Sequence, residues 1–473
     1  MSLPVPNSTT SFWRANPHKL DKHRSTPELP STTDILIIGA GYSGVACAYY
    51  LTKESPSPTP SITLLEAREL CSGATGRNGG HIKPDTYYNL PKYTQLFGAE
   101  VAASIARYEA SQLSAVKDLV EKEGIDCDFH LTRATDVFLD AQAAKDAEAA
   151  FRQLQAEGAV NLQDVDFIND ASSAERISGV KGAVSAFTFT AGQIYPYKLV
   201  TSLLELAIGR GNINLQTNTP VTAVSPTRDS EGHYHITTPR GTLKACKVII
   251  CTNAYTSSVL PQFRSRIIPV RGIACRITTP GPAKSPRLAN TYALRFNSGL
   301  MDYLIQRPSD NSIIVGGARA AFIRDLSAWY DNVSDDKLIS PAAEHYFDGY
   351  MQRHFAGWED SGARVDHIWT GIMGHSADAV PFAGDVPGTN NGMYVTAGFT
   401  GHGMPAILGC AKVIAEEIQM ESTGFKGGED GLWKGLRTLP APFRITEKRM
   451  QSMTNLVLDE WGGRGRRRQG YRA

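Results

Sequence analysis

The stretch from residue 34 to residue 81 restricts this chain more than any other: DILIIGAGYSGVACAYYLTKESPSPTPSITLLEARELCSGATGRNGGH. Its apolar run at 35–38 has the unbroken hydrophobicity of a parallel strand buried on both faces. The run passes directly into Gly39-Ala40-Gly41-Tyr42-Ser43-Gly44, and small and apolar residues follow at helical spacing to about Leu51. A second apolar run, 62–65, ends in Glu66, 22 residues beyond Gly44, with Ala67 and Arg68 next. Together these form a βαβ unit with a dinucleotide fingerprint. Gly39 allows the tight turn, Gly41 lets a pyrophosphate approach the backbone, and Gly44 lets helix pack on strand. The helix N-terminus then offers unpaired N–H groups to phosphate, and the Glu66 carboxylate can accept both hydroxyls of a ribose. A glycine turn alone is often only a turn. Here strand, glycines, helix, second strand and acid stand in register. The Pro/Ser-rich segment 54–60 reads as a surface insertion.

A chain of 473 residues predicts two or three domains. A net charge of +1 sets up no overall field toward nucleic acid or anionic membrane, and neither is expected as a partner. The seven cysteines are scattered, with no CxxC pair, and Cys47, Cys251 and Cys410 sit in apolar settings. They read as buried, reduced thiols of a cytosolic protein. No apolar run is long enough to span a membrane, the N-terminus has no signal-peptide core, and the last residues match no peroxisomal or prenylation signal. The expected location is cytoplasmic. The basic cluster Arg464, Arg466, Arg467 and Arg468 reads as a solvated end, and no metal site is expected.

Residues 1–33 read as an arm lying on the body, anchored by Phe12, Trp13 and Pro17; a disordered tail is the alternative. The small-residue loop 71–81 contains Thr75, Gly76, Arg77, Asn78, Gly79, Gly80 and His81 and predicts a second wall of the cofactor site. Helices are expected at 93–123, 142–157 and 196–208. Strands are expected around Phe129 and Val137 and at 213–216, 220–225, 233–238, 242–245 and 248–251. The last of these runs into Thr252, Asn253 and Ala254, small polar residues at a strand end that suits a ligand. Residues 266–320 are β-rich and helical spacing returns at 340–355. A second strand–turn–helix unit closes the pattern: strand 393–397, then Gly398, Phe399, Thr400, Gly401, His402, Gly403 and Met404, then a helix to about Ile418.

These residues resemble a known family. The fingerprint, the Ala74-to-Gly80 loop and the closing 398–403 turn are similar to those of the D-amino-acid-oxidase-like FAD-dependent oxidoreductases, which include sarcosine, glycine and gamma-glutamylputrescine oxidases. The loop is most like the gamma-glutamylputrescine oxidase branch, and the stretches at 269–272, 302–305 and 315–317 are similar to the family's substrate sheet. The resemblance covers about 34–420 and implies FAD in extended form. Gly39, Gly41 and Gly44 would meet the pyrophosphate, Glu66 the AMP ribose and the backbone of Val221 the adenine. Residues 77–81, Gly371 and Gly374 would lie by the flavin, and Gly401 to Gly403 would offer N–H groups to its pyrimidine end. The implied reaction takes a hydride from a carbon beside an amine nitrogen. The imine hydrolyses, and dioxygen takes up the electrons as hydrogen peroxide.

The chain departs from the family pattern twice. The oxygen-activating lysine of sarcosine-oxidase relatives has no counterpart at 313–316, so Lys83 or His375 would supply that charge, or another acceptor is used. No cysteine stands at 371–375 and Cys410 lies within the last helix, so FAD is expected to be non-covalent, with His81 the weaker alternative tether. Tyr303, His375 and Lys83 are the candidate catalytic residues, and Arg295 is a candidate partner for a substrate carboxylate. For each, an ordinary structural role is the competing reading. The expected architecture is α/β, an FAD-binding Rossmann-like domain with a discontinuous, β-sheet-based substrate domain. The FAD-binding part would take 34–90, 180–262 and 365–425, and the substrate part 91–179 and 263–364. Residues 426–473 would form a C-terminal extension. The alternatives are an FAD monooxygenase or NAD(P)H-dependent reductase, prompted by Gly384-Asp385, and a non-catalytic flavin-binding protein.

Overall fold

The computed structural model describes residues 3–53, 59–281, 286–422 and 438–461. The basic cluster from Arg464 and most of the 54–60 insertion lie outside these residues. Two sheets organise the chain, eight-stranded and nine-stranded among the described residues.

The first sheet is built on Thr32–Ile38. This strand pairs in parallel with Ile62–Leu65 on one side and with Gly241–Ile250 on the other. Ile213–Gln216 and Met393–Ala397 extend the two edges in parallel, and Phe382–Asp385 closes one edge antiparallel. Residues 35–38 of the central strand are all buried, as a strand covered on both faces requires. The helices Tyr42–Lys53, Pro196–Arg210 and Ile407–Ser422 share one core with it. Pro196 occupies the first turn of its helix, where its missing N–H costs nothing.

The second sheet runs in the order Arg364–Ser376, Ile267–Thr278, Ile313–Gly316, Met301–Gln306, Thr291–Arg295, His130–Phe138, Ser185–Gln193 and His81–Ile82. It is antiparallel apart from the pairing of Thr291–Arg295 with His130–Phe138. His81–Ile82, Ser185–Gln193 and Arg364–Ser376 belong to this sheet, although they fall in or across ranges expected for the FAD-binding part. The chain crosses between the sheets repeatedly, and hydrogen-bond pairing rather than sequence order decides which sheet a strand joins.

Several elements differ from their sequence expectation. The helix at 93–123 is two, Leu90–Phe97 and Ala99–Glu123, parted at Gly98 with φ 89°. The stretches around Phe129 and Val137 form one strand, His130–Phe138. The runs 242–245 and 248–251 also fuse into one, because Gly241–Ile250 pairs first with Tyr234–Thr238 and then with Thr32–Ile38. Only Ala223–Val224 of 220–225 is strand, and 340–355 carries two short helices, Pro341–His345 and Tyr350–His354. The N-terminal arm packs on the body. Phe12 and Trp13 are buried, whereas Pro17 is exposed and anchors nothing.

Candidate active site

A cleft of about 1470 Å³ is lined by residues of both sheets. It gathers most of the residues predicted from sequence, including Gly39, Gly41, Glu66, Arg77, Val221, Asn253, Gly371 and the turn 399–404. Lys83, Tyr303 and His375 line it as well. Ala40, Gly44, Gly76, Gly80, Gly374 and Gly398 do not reach its surface and lie behind it. Gly44 shows why: a Cβ there would sit 1.9 Å from the Gly39 carbonyl oxygen. The glycine is needed for helix and strand to meet, so its part is to hold the turn from behind. Gly39 itself has φ +104°, a conformation that disfavours any side chain.

At the end of the cleft near the fingerprint, the Glu66 carboxylate accepts from the backbone N–H of Ala40 at 2.8 Å and of Arg68 at 3.0 Å. Burial pushes its carboxyl up, against these two hydrogen bonds. The Arg68 guanidinium forms a two-pronged pair with Asp335, at 2.9 and 3.0 Å. Arg77 is buried and donates to the carbonyls of Ser72 and Thr370, both at 2.7 Å. Burial lowers its pKa to about 10. Asn78 is a brace: it donates to Thr75 O at 3.1 Å and accepts from Gly80 N at 2.8 Å. The Thr75 hydroxyl accepts the Tyr42 N–H at 2.9 Å, at the mouth of the first helix.

Farther along the cleft, the Tyr303 ring lies against Gly79 and Gly316, in space that a side chain at either would fill. Its other neighbour is His81, whose ring meets it edge-on at 5.2 Å between centroids. Both His81 ring nitrogens are buried and lack a hydrogen-bond partner, as does Nε2 of His375. Burial lowers both pKa values to about 3; Lys83 adds to the effect at His81, and Arg319 and Lys92 add to it at His375. Both imidazoles are therefore neutral near pH 7. This corrects the expectation that His375 supplies a positive charge.

Lys83 does not supply a free charge either, because its ammonium is paired with Asp136. Arg295 donates to the other Asp136 oxygen at 2.8 Å, and the Tyr87 hydroxyl joins it at 3.0 Å. Burial works against the Asp136 charge, but the Lys83 and Arg295 cations outweigh it and hold its carboxyl at about 2. Burial pulls the Lys83 pKa down. The Arg295 guanidinium also stacks over Tyr88, 3.4 Å from the ring centroid, and its buried Nε has no partner. Asp136 and Tyr87 were missed in the sequence. An isolated carboxylate inside the apolar strand around Val137 was the available signal.

His402, in the 398–404 turn, lies 2.9 Å from the Glu109 carboxylate, which also accepts the Asp85 N–H at 2.7 Å. Burial opposes the imidazolium, and Glu109 outweighs it and raises the His402 pKa. Glu109 belongs to the helix Ala99–Glu123, and nothing near it in the chain marks it as a site residue. Trp461, from the C-terminal helix Leu456–Trp461, also lines the cleft and meets His375 edge-on at 5.2 Å. All seven cysteines are free, and Cys410 lies outside the cleft. Among the described residues no helix is long and apolar enough to cross a membrane.

A family model described as "FAD dependent oxidoreductase" (DAO) matches residues 34–417. The chain is similar to gamma-glutamylputrescine oxidoreductase of Escherichia coli (strain K12), 23% identical over 448 residues, with 92% of this chain and 95% of that protein covered. It is 24% identical over 407 residues to the probable oxidoreductase OrdL of Rhizobium meliloti (strain 1021), covering 84% of this chain and 86% of that one. Its fold is similar to glycine oxidase from Geobacillus kaustophilus, with TM-score 0.66, 18% identity, and 88% and 99% of the two chains covered. L-proline dehydrogenase from P. horikoshii gives TM-score 0.64 at 20% identity, with 84% and 95% covered.

Proposed function

The chain belongs to the FAD-dependent oxidoreductase family, and from that premise we propose that it oxidises the C–N bond of an amino acid or a carboxylate-bearing amine. FAD is its cofactor. The cleft fits that group: it is lined by Gly39 and Gly41 of the fingerprint, and it has buried polar atoms without partners at Tyr42 OH, Tyr255 OH and His81. The residues that would hold FAD are the 39–44 turn, Glu66 to Arg68, Val221, 252–254, the 75–81 loop and the 399–404 turn. Attachment is proposed to be non-covalent. Cys71 and Cys251 line the cleft near Gly39, and burial pushes their thiols well above the ordinary range, so neither is a ready nucleophile.

The observation that carries the substrate class is the Arg295 guanidinium on the cleft wall. Lys83 and Arg295 share the Asp136 carboxylate, Asp85 acts on Lys83 as well, and the buried Nε of Arg295 has no partner. A buried donor without a partner is costly, and a substrate carboxylate beside Arg295 would accept from it. The names of the similar proteins agree with this reading, since glycine and L-proline are both amino acids. FAD, when bound, supplies the acceptor for the hydride that leaves the carbon beside nitrogen. Arg295 would fix the carboxylate and so orient that carbon. The neutral imidazoles of His81 and His375 offer hydrogen-bond acceptors without repelling an amine. Glu109 favours the protonated form of His402, which lies in the 399–404 turn. The imine product would hydrolyse in water, and dioxygen is the proposed acceptor, giving hydrogen peroxide.

One observation favours a second reading, a dehydrogenase with another electron acceptor: of the two residues expected to supply charge for oxygen, Lys83 is engaged with Asp136 and His375 is neutral. A single experiment tests both. The purified holoenzyme is titrated anaerobically with a panel of amino acids and of amines lacking a carboxylate, and the flavin absorbance is followed. Bleaching by carboxylate-bearing amines alone is expected. Return of colour in air, with peroxide release, identifies an oxidase, and its slow return a dehydrogenase. Bleaching by simple amines but by no amino acid refutes the substrate class.

A further inference from the structure

The family match begins at residue 34, yet a segment before it forms part of the cleft. Leu3 and Pro4 line the cavity that Glu66, Ala67 and Arg68 also line. From there the arm makes a continuous series of contacts with the cofactor-facing loops. Val5 O accepts from Arg68 at 3.0 Å. Ser8 and Thr9 each accept from Arg77 through their hydroxyls, at 2.6 and 3.1 Å. The Thr9 N–H donates to Asp335 O at 2.6 Å, and its hydroxyl oxygen accepts the Thr370 N–H at 3.0 Å. The Trp13 indole N–H donates to Asn78 O at 2.6 Å, and that side chain is fully buried.

These contacts fall on groups that shape the cleft. The Arg77 guanidinium makes four hydrogen bonds to protein groups, and two of them go to the arm. Arg77 is 4% exposed, so water cannot readily take over the lost partners. Thr9 also joins the 71–81 loop, through Arg77, to the Arg364–Ser376 strand and to Asp335, which is the partner of Arg68. The arm thus ties together two walls that sequence places about 290 residues apart, as Arg77 and Thr370 are.

We propose that residues 3–13 are an integral wall of the FAD site: they cover the AMP half of the cofactor beside Glu66 and Arg68 and hold the Arg77–Asn78 loop in the binding conformation. The arm accordingly retains the cofactor as well as contributing to the fold. This rests on the family's FAD site and not on the proposed substrate, so the two readings fail separately.

The test compares the full-length holoenzyme with a variant lacking residues 1–10 and with Ser8→Ala/Thr9→Val, which keeps the arm's length and removes its two hydroxyls. The readouts are the release of FAD on dilution, followed by the rise of free-flavin fluorescence, and the melting temperature with and without added FAD. Release about tenfold faster or more is expected for the deletion, the factor that loss of one hydrogen bond to a charged group brings. A severalfold increase is expected for the double variant. The rise in melting temperature on adding FAD should shrink in both. If both variants release FAD at the full-length rate, or lose stability with an unchanged FAD-dependent rise, the arm is only structural and the proposal is wrong. Should the deletion fail to fold, the double variant decides.

Discussion

Asp136→Asn tests the charge balance of the cleft. The substitution keeps the shape of the side chain, removes its charge and leaves Lys83 and Arg295 buried with no anion between them. Removing one partner of a buried ion pair costs about 3–5 kcal/mol. The proton equilibrium provides an independent figure. A carboxyl held at about 2, against an ordinary 3.8, stabilises the folded state by about 2 kcal/mol at neutral pH, at about 1.4 kcal/mol for each pK unit. The sign follows because the folded-state pKa is the lower one. The stabilisation is complete above about 3.8 and is lost as pH falls through about 2. An unfolding entropy of about 2.1 cal/mol/K per residue gives about 1 kcal/mol/K for a chain of this length. Two to five kcal/mol then correspond to a melting temperature lower by about 2–5 °C. Calorimetry of the two holoenzymes at pH 7 measures this. A difference below about 1 °C at pH 7 would mean that the Asp136 carboxylate is not the counter-charge of a buried pair and does not hold Arg295 in place for the substrate.

Two further substitutions examine separate parts of the molecule. Arg295→Met should raise KM for a carboxylate-bearing substrate by about 10- to 150-fold, the value of one hydrogen bond to a charged group, while leaving FAD content unchanged. An unaltered KM in steady-state assays would remove Arg295 from the substrate site. Glu417→Gln should stabilise the protein at alkaline pH. Burial first, then Asp385 and Glu421, push the Glu417 carboxyl up to about 8, and its Oε2 has no partner. For an acid raised in this way, stability is lost as pH climbs from about 4.5 to about 8. The variant should melt about 2–4 °C higher at pH 8.5 and no higher at pH 4.5, and equal melting at both values would contradict the assignment.

The features legible in the chain are those whose cause is local. Strand, glycine turn, helix and acid between residues 34 and 66 are contiguous, and steric fit at Gly39 and Gly44 requires those residue types wherever the unit is placed. The 393–404 turn reads equally well for the same reason. The Phe12 and Trp13 anchors were visible as large apolar side chains in a polar arm. Element boundaries were less visible. Gly241–Ile250 is one strand because two different neighbours pair with its two halves, the hairpin partner Tyr234–Thr238 and the strand Thr32–Ile38, which is far away in sequence.

Residue identity and spacing already specify a dinucleotide-binding chain, because backbone geometry and the 2- and 3.6-residue periodicities act over a few residues. Charge states were decided only by the assembled molecule. Asp136 and Arg295 lie 159 residues apart, and Glu109 and His402 lie 293 apart. His81 and His375 are neutral because the packed protein removes water from them, whereas His402 is pushed toward its charged form by a carboxylate from another helix. Burial and counter-charge are properties of a neighbourhood, and only folding assembles the neighbourhood.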